Sequence, residues 1–157
     1  MMSDTVIPQR LPSERPIVLF REAAFRGWLR RLWACITRRC VCLVDLDEAL
    51  EQAIVQSSHY AGLKTVDIRN IRGTQGKADD FDAEFNPINE RTRSRWLDIA
   101  LEKLRGHDLP PVDLVQVDNI YYVRDGHHRI SVSRSLGQQF IDAEVTVMML
   151  NNRMNMR

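Results

Sequence analysis

The sequence predicts an α/β (α+β) protein, a small mixed sheet with helices preceded by an α-helical extension. Three observations lead there. Apolar residues recur at three-to-four spacing between Phe20 and Cys40, the signature of one helix face. From Gly62 to about Met148 the pattern alternates between the two-residue period of strands and the longer period of helices. A chain of 157 residues has room for one domain and an extension but not for two full-sized domains.

The order of elements follows from local pattern. Residues 1–16 carry Pro8, Pro12 and Pro16 among scattered charges and read as a disordered N-terminus. Residues 17–61 read as a helical basic–acidic extension. In its first helix Phe25, Trp28, Leu29, Leu32, Trp33 and Ile36 share a face, with Arg21, Arg26, Arg30, Arg31, Arg38 and Arg39 around it and Glu22 the lone acid. Such a stripe ordinarily packs on its own domain, leaving the arginines solvated or paired with the acidic helix. The alternatives are contact with a nucleic-acid backbone or a membrane surface. A second helix is expected from Asp45, where Asp45 and Glu48 have the form of a capping box and Leu46, Leu50 and Ile54 make the apolar stripe.

Residues 62–148 form the main domain. Thr65 to Ile71 alternates as a half-buried strand, and Arg72 to Pro87 is a polar loop with Gly73, Gly76, Asp79, Asp80, Asp82 and Glu84. A helix runs from Asn89 to about Arg105, and Gly106 ends it. Pro110-Pro111 introduces a strand over Val112–Val117, Asp118-Asn119 makes a two-residue hairpin turn, and Ile120–Arg124 returns. A short helix spans His127 to about Leu136, Gly137 stops it, and Phe140–Met148 is the last strand. Residues 149–157 read as a frayed tail.

Composition narrows the class of protein. Lys+Arg 22 against Asp+Glu 21 leaves +1, so the chain as a whole has no electrostatic bias toward nucleic acid or membrane. With 44% hydrophobic and 27% charged residues it is neither collagen-like nor wholly disordered. Cys35, Cys40 and Cys42 are odd in number and clustered, which suits a reducing compartment rather than a disulfide framework. With no apolar signal region and no apolar run of membrane-spanning length, the expected setting is the cytoplasm, with no membrane partner. A zinc site from Cys35, Cys40, Cys42 and His59 is disfavoured by the tight C-x-C spacing, and no metal site is expected.

The chemistry concentrates in Ile120–Gly137, where an apolar strand ends in Asp125-Gly126 and a helix opens with His127, His128 and Arg129. The first N–H groups of a helix lack internal partners and sit at the positive end of its dipole, which makes the place an anion site. Gly126 allows the sharp turn and close approach of a ligand. Arg129 can fork onto two phosphate oxygens, His127 and His128 add donors, and one of them could move a proton near neutral pH. Asp125 would orient an imidazole or hold a metal on the phosphate.

Asp125-Gly126-His127-His128-Arg129, followed by a short helix, Gly137 and a closing strand, resembles the signature box of the ParB/sulfiredoxin superfamily. The V-D-I-R-N-I strand, the glycine-containing loop, the long helix and the Leu-Pro-Pro strand come in the order of a ParB N-terminal domain. The resemblance implies a nucleoside triphosphate, CTP or ATP with magnesium, held by Gly126, His127, His128 and Arg129. Where sulfiredoxins carry their catalytic cysteine this chain has His127, so sulfinic-acid reduction is not expected. A helix-turn-helix like that of ParB partition proteins is not expected within these residues, and His127-His128 replaces their Glu-Arg pair. Free-serine kinases of the superfamily resemble the box more closely and imply phosphoryl transfer, with Asp125 and His128 as candidate catalytic groups.

Three readings follow. The first is a ParB-like nucleotide-binding protein coupled to DNA through Arg26, Arg30, Arg31 and Arg38, with homodimerisation in keeping. The second is an ATP-dependent phosphotransferase or nuclease, and the third a non-catalytic interaction module. Gly73, Lys77, Asp80 and Asp82 are candidate contributors from the long loop. Trp96, Ser131 and His107 read as structural.

Overall fold

The computed structural model describes residues 14–37, 43–51, 54–76 and 79–151. Its architecture is mixed α/β. In chain order it has α1 (Arg15–Thr37), β1 (Val44–Asp45), α2 (Leu46–Leu50), β2 (Ile54–Asp67), β3 (Ile71–Thr74), α3 (Arg93–Leu104), β4 (Val112–Val117), β5 (Ile120–Asp125), α4 (His127–Ser135) and β6 (Phe140–Asn151). The strands form one six-stranded sheet in the order β1-β3-β5-β4-β6-β2. β1, β3 and β5 run parallel to one another, as do β4 and β6, while β4–β5 and β2–β6 are antiparallel. The β4–β5 hairpin closes at Asp118-Asn119, with Val117 opposite Ile120 and Asp118 in the left-handed region at φ 52°.

Alternation along the strands decides what each face covers. Val112 and Leu114 of β4, Ile71, Val123, Ala143 and Val145 pack with Trp96 and Ala100 of α3, Ile130 and Val132 of α4, and Phe20 and Ala23 of α1. Val115, Val117 and Tyr122 point the other way and pack with Leu46. Trp96 is fully buried, edge-on to Phe20 at 5.5 Å, and its indole N–H donates to Ser131 Oγ at 2.8 Å, which satisfies two buried polar atoms at once.

Four expectations are corrected. The stripe of α1 does not pack on the domain. Pro16, Phe20, Ala23 and Gly27 are the buried residues, while Phe25, Trp28, Leu29, Leu32, Trp33 and Ile36 are exposed. Small residues let the helix approach closely: a Cβ on Gly27 would lie 3.1 Å from Pro87 O and 3.2 Å from Asn86 Cβ. The second helix is only five residues, capped by Asp45 Oδ1 accepting from Asp47 N, and Ile54 belongs to a strand instead. Residues 54–61, read as helical, are strand because β2 pairs with β6 from Ile54↔Asn151 through Asp67↔Phe140, and that pairing carries β6 on to Asn151. The strand read as Thr65–Ile71 is broken by a one-turn 3-10 segment at Ile68–Asn70, whose start Asp67 caps by accepting from Arg69 N.

From Asp79 to Pro87 the polar loop is a folded unit. Phe81 bridges to Pro87, and Phe81 and Phe85 are buried. Asp82, 1% exposed, accepts from the backbone N–H of Glu84 and Asn86 and from Asn86 Nδ2. A carboxylate can be buried there because three donors and Arg30, 3.6 Å away, replace its water.

Candidate functional site

The parallel strands β3 and β5 end side by side, and the chain leaving each one meets the other. Gln75 N donates to Val123 O at 2.9 Å, and Arg124 Nε donates to Gln75 Oε1 at the same distance. Carboxyl ends of parallel strands are where α/β sheets open crevices for ligands. At the end of β5, Gly126 adopts φ 107°, and α4 starts immediately, with no side-chain cap on its first N–H groups. The bend is tight, since a Cβ on Gly126 would sit 2.6 Å from Val112 Cγ1.

The two imidazoles diverge, His127 toward Thr74 at the end of β3 and His128 toward Phe81 of the loop. His127 Nε2 lies 2.8 Å from Thr74 Oγ1, and that hydroxyl in turn lies 3.3 Å from Val123 O. The hydroxyl has one proton, so donating to Val123 O goes with the Nε2–H tautomer of His127, and donating to Nε2 goes with the Nδ1–H tautomer. Its ring stacks on Phe81 at 6.2 Å and 17°. Burial, then the neighbouring His128, pushes His127 down to about 4, against the pull of Asp125 and Asp80. Burial, then Arg95, lowers His128 as well, and its ring stands edge-on to Phe81 at 5.0 Å. His128 Nε2 is buried without a hydrogen-bond partner. Both rings are therefore mainly neutral at pH 7.

This burial has a measurable consequence. The unfolded His127 takes up a proton below about 6.5 and the folded one only near 4, so its contribution to stability is complete above pH 6.5. It is lost as the pH falls toward 4, by on the order of 3 kcal/mol, and His128 acts in the same direction. Urea titrations between pH 7 and 4.5 should show this slope, and His127→Gln should flatten it while keeping a hydrogen-bonding partner for Thr74. An unchanged slope in that variant would contradict the assignment.

Arg129 points the other way. Its Nη1 donates to Pro110 O at 2.8 Å and Pro111 O at 2.6 Å, and its Nη2 donates to Asp125 Oδ2 at 2.5 Å. The guanidinium is thus committed to the Pro-Pro turn and to its own carboxylate rather than held open beside the imidazoles. The junction brings Asp125, Gly126, His127 and His128 together with Thr74, Phe81 and Phe85, and Arg95 acts on His128 through its charge. Asp80 reaches it only electrostatically, being paired with Arg91 at 2.5 Å and Asn89 at 3.2 Å. Asp82 serves its own loop. Gly73 is fixed by strand packing, because a Cβ there would lie 2.4 Å from Tyr122 Cδ1 and 2.5 Å from Val44 O.

The arginines assigned to nucleic acid divide. Arg26 donates to Asn86 Oδ1 at 3.4 Å, and Arg30 lies 3.6 Å from both Asp82 and Glu84, so their partners are in the loop rather than in α2. Arg31 is exposed beside a groove of about 310 Å³ floored by Phe20, Phe25, Trp28, Pro87 and Ile88. Lys77, Arg38, Cys40 and Cys42 lie outside the described residues, as do residues 1–13 and 152–157. Cys35 is exposed on α1 and His59 on β2. Among the described residues no three His, Cys, Asp or Glu side chains come together to hold a metal.

Of the groups the sequence reading passed over, Phe81 and Phe85 carry a visible signal, two aromatics four apart inside an acidic loop. Thr74 and Arg95 carry none, because only the packing of β3 and α3 brings them near the junction.

No protein-family model matches the chain, and no curated protein matches it. Among solved structures it is similar to sulfiredoxin from Arabidopsis thaliana, at 17% identity and a TM-score of 0.42, over 55% of this chain and 86% of that one.

Proposed function

We propose that the chain is a ParB-like phosphate-binding protein that takes the phosphates of a nucleoside triphosphate at the start of α4. The observation that carries this is the junction itself: a left-handed glycine delivers an uncapped helix start to the carboxyl ends of two parallel strands. Neutral imidazoles suit the role, since each offers one donor and one acceptor without the charge that would attract the protein's own carboxylates. The nucleotide comes from the resemblance of the Asp-Gly-His-His-Arg box, and so does coupling to DNA. With no three-carboxylate cluster among the described residues, magnesium would arrive on the phosphates, shielding their charge, with Asp125 the nearest carboxylate to meet it.

Calorimetric and thermal-shift titration with CTP, ATP, ADP and inorganic phosphate, with and without magnesium, tests the reading. A ligand at a hundred times its Kd should raise stability by about 2.7 kcal/mol. The decisive variant is Asp125→Asn, because Asp125 occupies Arg129 and places a negative charge at the helix mouth. Its removal should tighten phosphate binding by roughly three- to tenfold, the effect of about 1 kcal/mol of relieved repulsion. Weaker binding only in the presence of magnesium would favour a carboxylate that holds the ion, as the phosphotransferase reading requires. No response of either protein to any of these ligands would overturn the proposal.

A further inference from the structure

The outward face of α1 is the largest feature the junction leaves unused. Its buried side consists of Pro16, Phe20, Ala23 and Gly27. Opposite them, Phe25, Trp28, Leu29, Leu32, Trp33 and Ile36 continue a three-to-four spacing into solvent, with Trp33 65% and Ile36 71% exposed. Single exposed apolar residues are ordinary, but a continuous aromatic-rich ridge of this length marks a contact surface. Arg21 and Arg31 flank the ridge with Glu22 the one acid on the helix, while Arg26 and Arg30 are engaged by Asn86, Asp82 and Glu84 of the loop. Arg21 and Arg31 are exposed and make no ion pair among the described residues.

We infer that this face of α1 docks on an anionic lipid surface, with the ridge at the headgroup–acyl boundary and the arginines among the headgroups. Three occupants compete for the face, and charge separates them. A second copy seated on the same ridge would bring Arg21 and Arg31 close to their own counterparts, with Glu22 the one acid of each helix to offset them. A nucleic-acid backbone would use the guanidinium groups but leave Trp28, Trp33 and Ile36 in water. An anionic bilayer accepts both the apolar ridge and the bordering cations, and tryptophan is a residue enriched at its interface. Among the described residues no helix is long and apolar enough to cross a membrane, so the geometry is that of a helix lying on the surface. The expectation of no membrane partner rested on the balanced net charge and on the lack of a membrane-spanning run, whereas a helix lying on the surface needs only its own exposed face.

Vesicle flotation with the full chain tests the inference, comparing phosphatidylcholine alone with a mixture containing about a third phosphatidylglycerol. Binding to the anionic vesicles should be at least about tenfold tighter and should fall steeply with salt. Tryptophan emission should shift to the blue through Trp28 and Trp33, while Trp96, fully buried, supplies an unchanging background. Trp28→Ser with Trp33→Ser should abolish flotation without altering the melting curve, since both side chains are exposed. Arg21→Gln and Arg31→Gln should each weaken it by about fivefold. The inference fails if folded protein floats with neither vesicle, or if the double tryptophan variant floats as well as the parent. It also fails if those substitutions dissolve a dimer while vesicles bind nothing, or if duplex DNA alone engages the arginines.

Discussion

Replacing Arg134 by alanine should cost about 2–4 kcal/mol, chiefly from the two carbonyls left without a donor, because its ion-pair partner Glu84 is half exposed. Its guanidinium sits where three separate segments meet. Nη2 donates to Ile68 O at 2.9 Å and Ile71 O at 3.1 Å, which ties the last turns of α4 to the chain between β2 and β3. Nη1 donates to Glu84 Oε2 at 2.6 Å, and the group lies 5.2 Å over the Phe85 ring, which anchors the acidic loop. Alanine would leave two carbonyls and a carboxylate without their donor and uncover a buried ring. For a chain of this size the melting temperature should fall by on the order of 10 °C. Arg134→Lys should recover part of the loss, because a single ammonium keeps the charge but cannot fork onto both sides. A second readout comes from His127, which packs against Phe85 at 6.3 Å. With Phe85 loosened and the site wetter, the His127 titration should move up from about 4 toward its ordinary value, as followed by NMR. An Arg134→Ala protein within 1 kcal/mol of the parent, or an unmoved His127, would show that the three segments hold together without it.

That network also shows where sequence reasoning stops. The Asp118-Asn119 hairpin, α3, α4 and the core of β6 are legible because their patterns are local: a two-residue or three-to-four-residue period bounded by Gly, Pro or Asn. Residues 54–61 misled because the stretch is exposed on both faces, so no alternation marks it as strand. On α1 the periodicity was genuine but ambiguous between two faces. A stripe of small residues with one phenylalanine buries less obviously than one of tryptophans, yet it permits the closer approach. The loop acids were legible as charges but not as pairs, since their partners Arg30, Arg91 and Arg134 come from distant parts of the chain. At the junction, the glycine and the helix start were legible from Asp125-Gly126-His127. The direction of Arg129 was not, because it depends on carbonyls of Pro110 and Pro111 that folding brings within reach.

Gly126→Ala should cost roughly 3–5 kcal/mol, and for a different reason. A φ of 107° is outside the range L-residues adopt readily, which costs about 1–3 kcal/mol. The new methyl would also lie 2.6 Å from Val112 Cγ1 and 2.9 Å from Val112 Cβ, and overpacking of this kind adds about 1–3 kcal/mol. The two terms can be separated, because only the second depends on Val112. Val112→Ala alone opens a cavity in the core and is destabilising, but in the Gly126→Ala background it removes Cγ1, the nearer of the two clashing atoms, and leaves Cβ. A double-mutant cycle by urea denaturation should therefore give a compensating coupling of about 1–2 kcal/mol, with the backbone cost remaining. Simple additivity would mean that β4 is not what confines the bend. If the coupling is found, the doubly substituted protein offers a folded chain in which the entry to α4 is strained but not blocked. Its phosphate affinity would then report how strictly the first N–H groups must be aimed, since a misdirection of about 1 Å is enough to degrade preorganised hydrogen bonding.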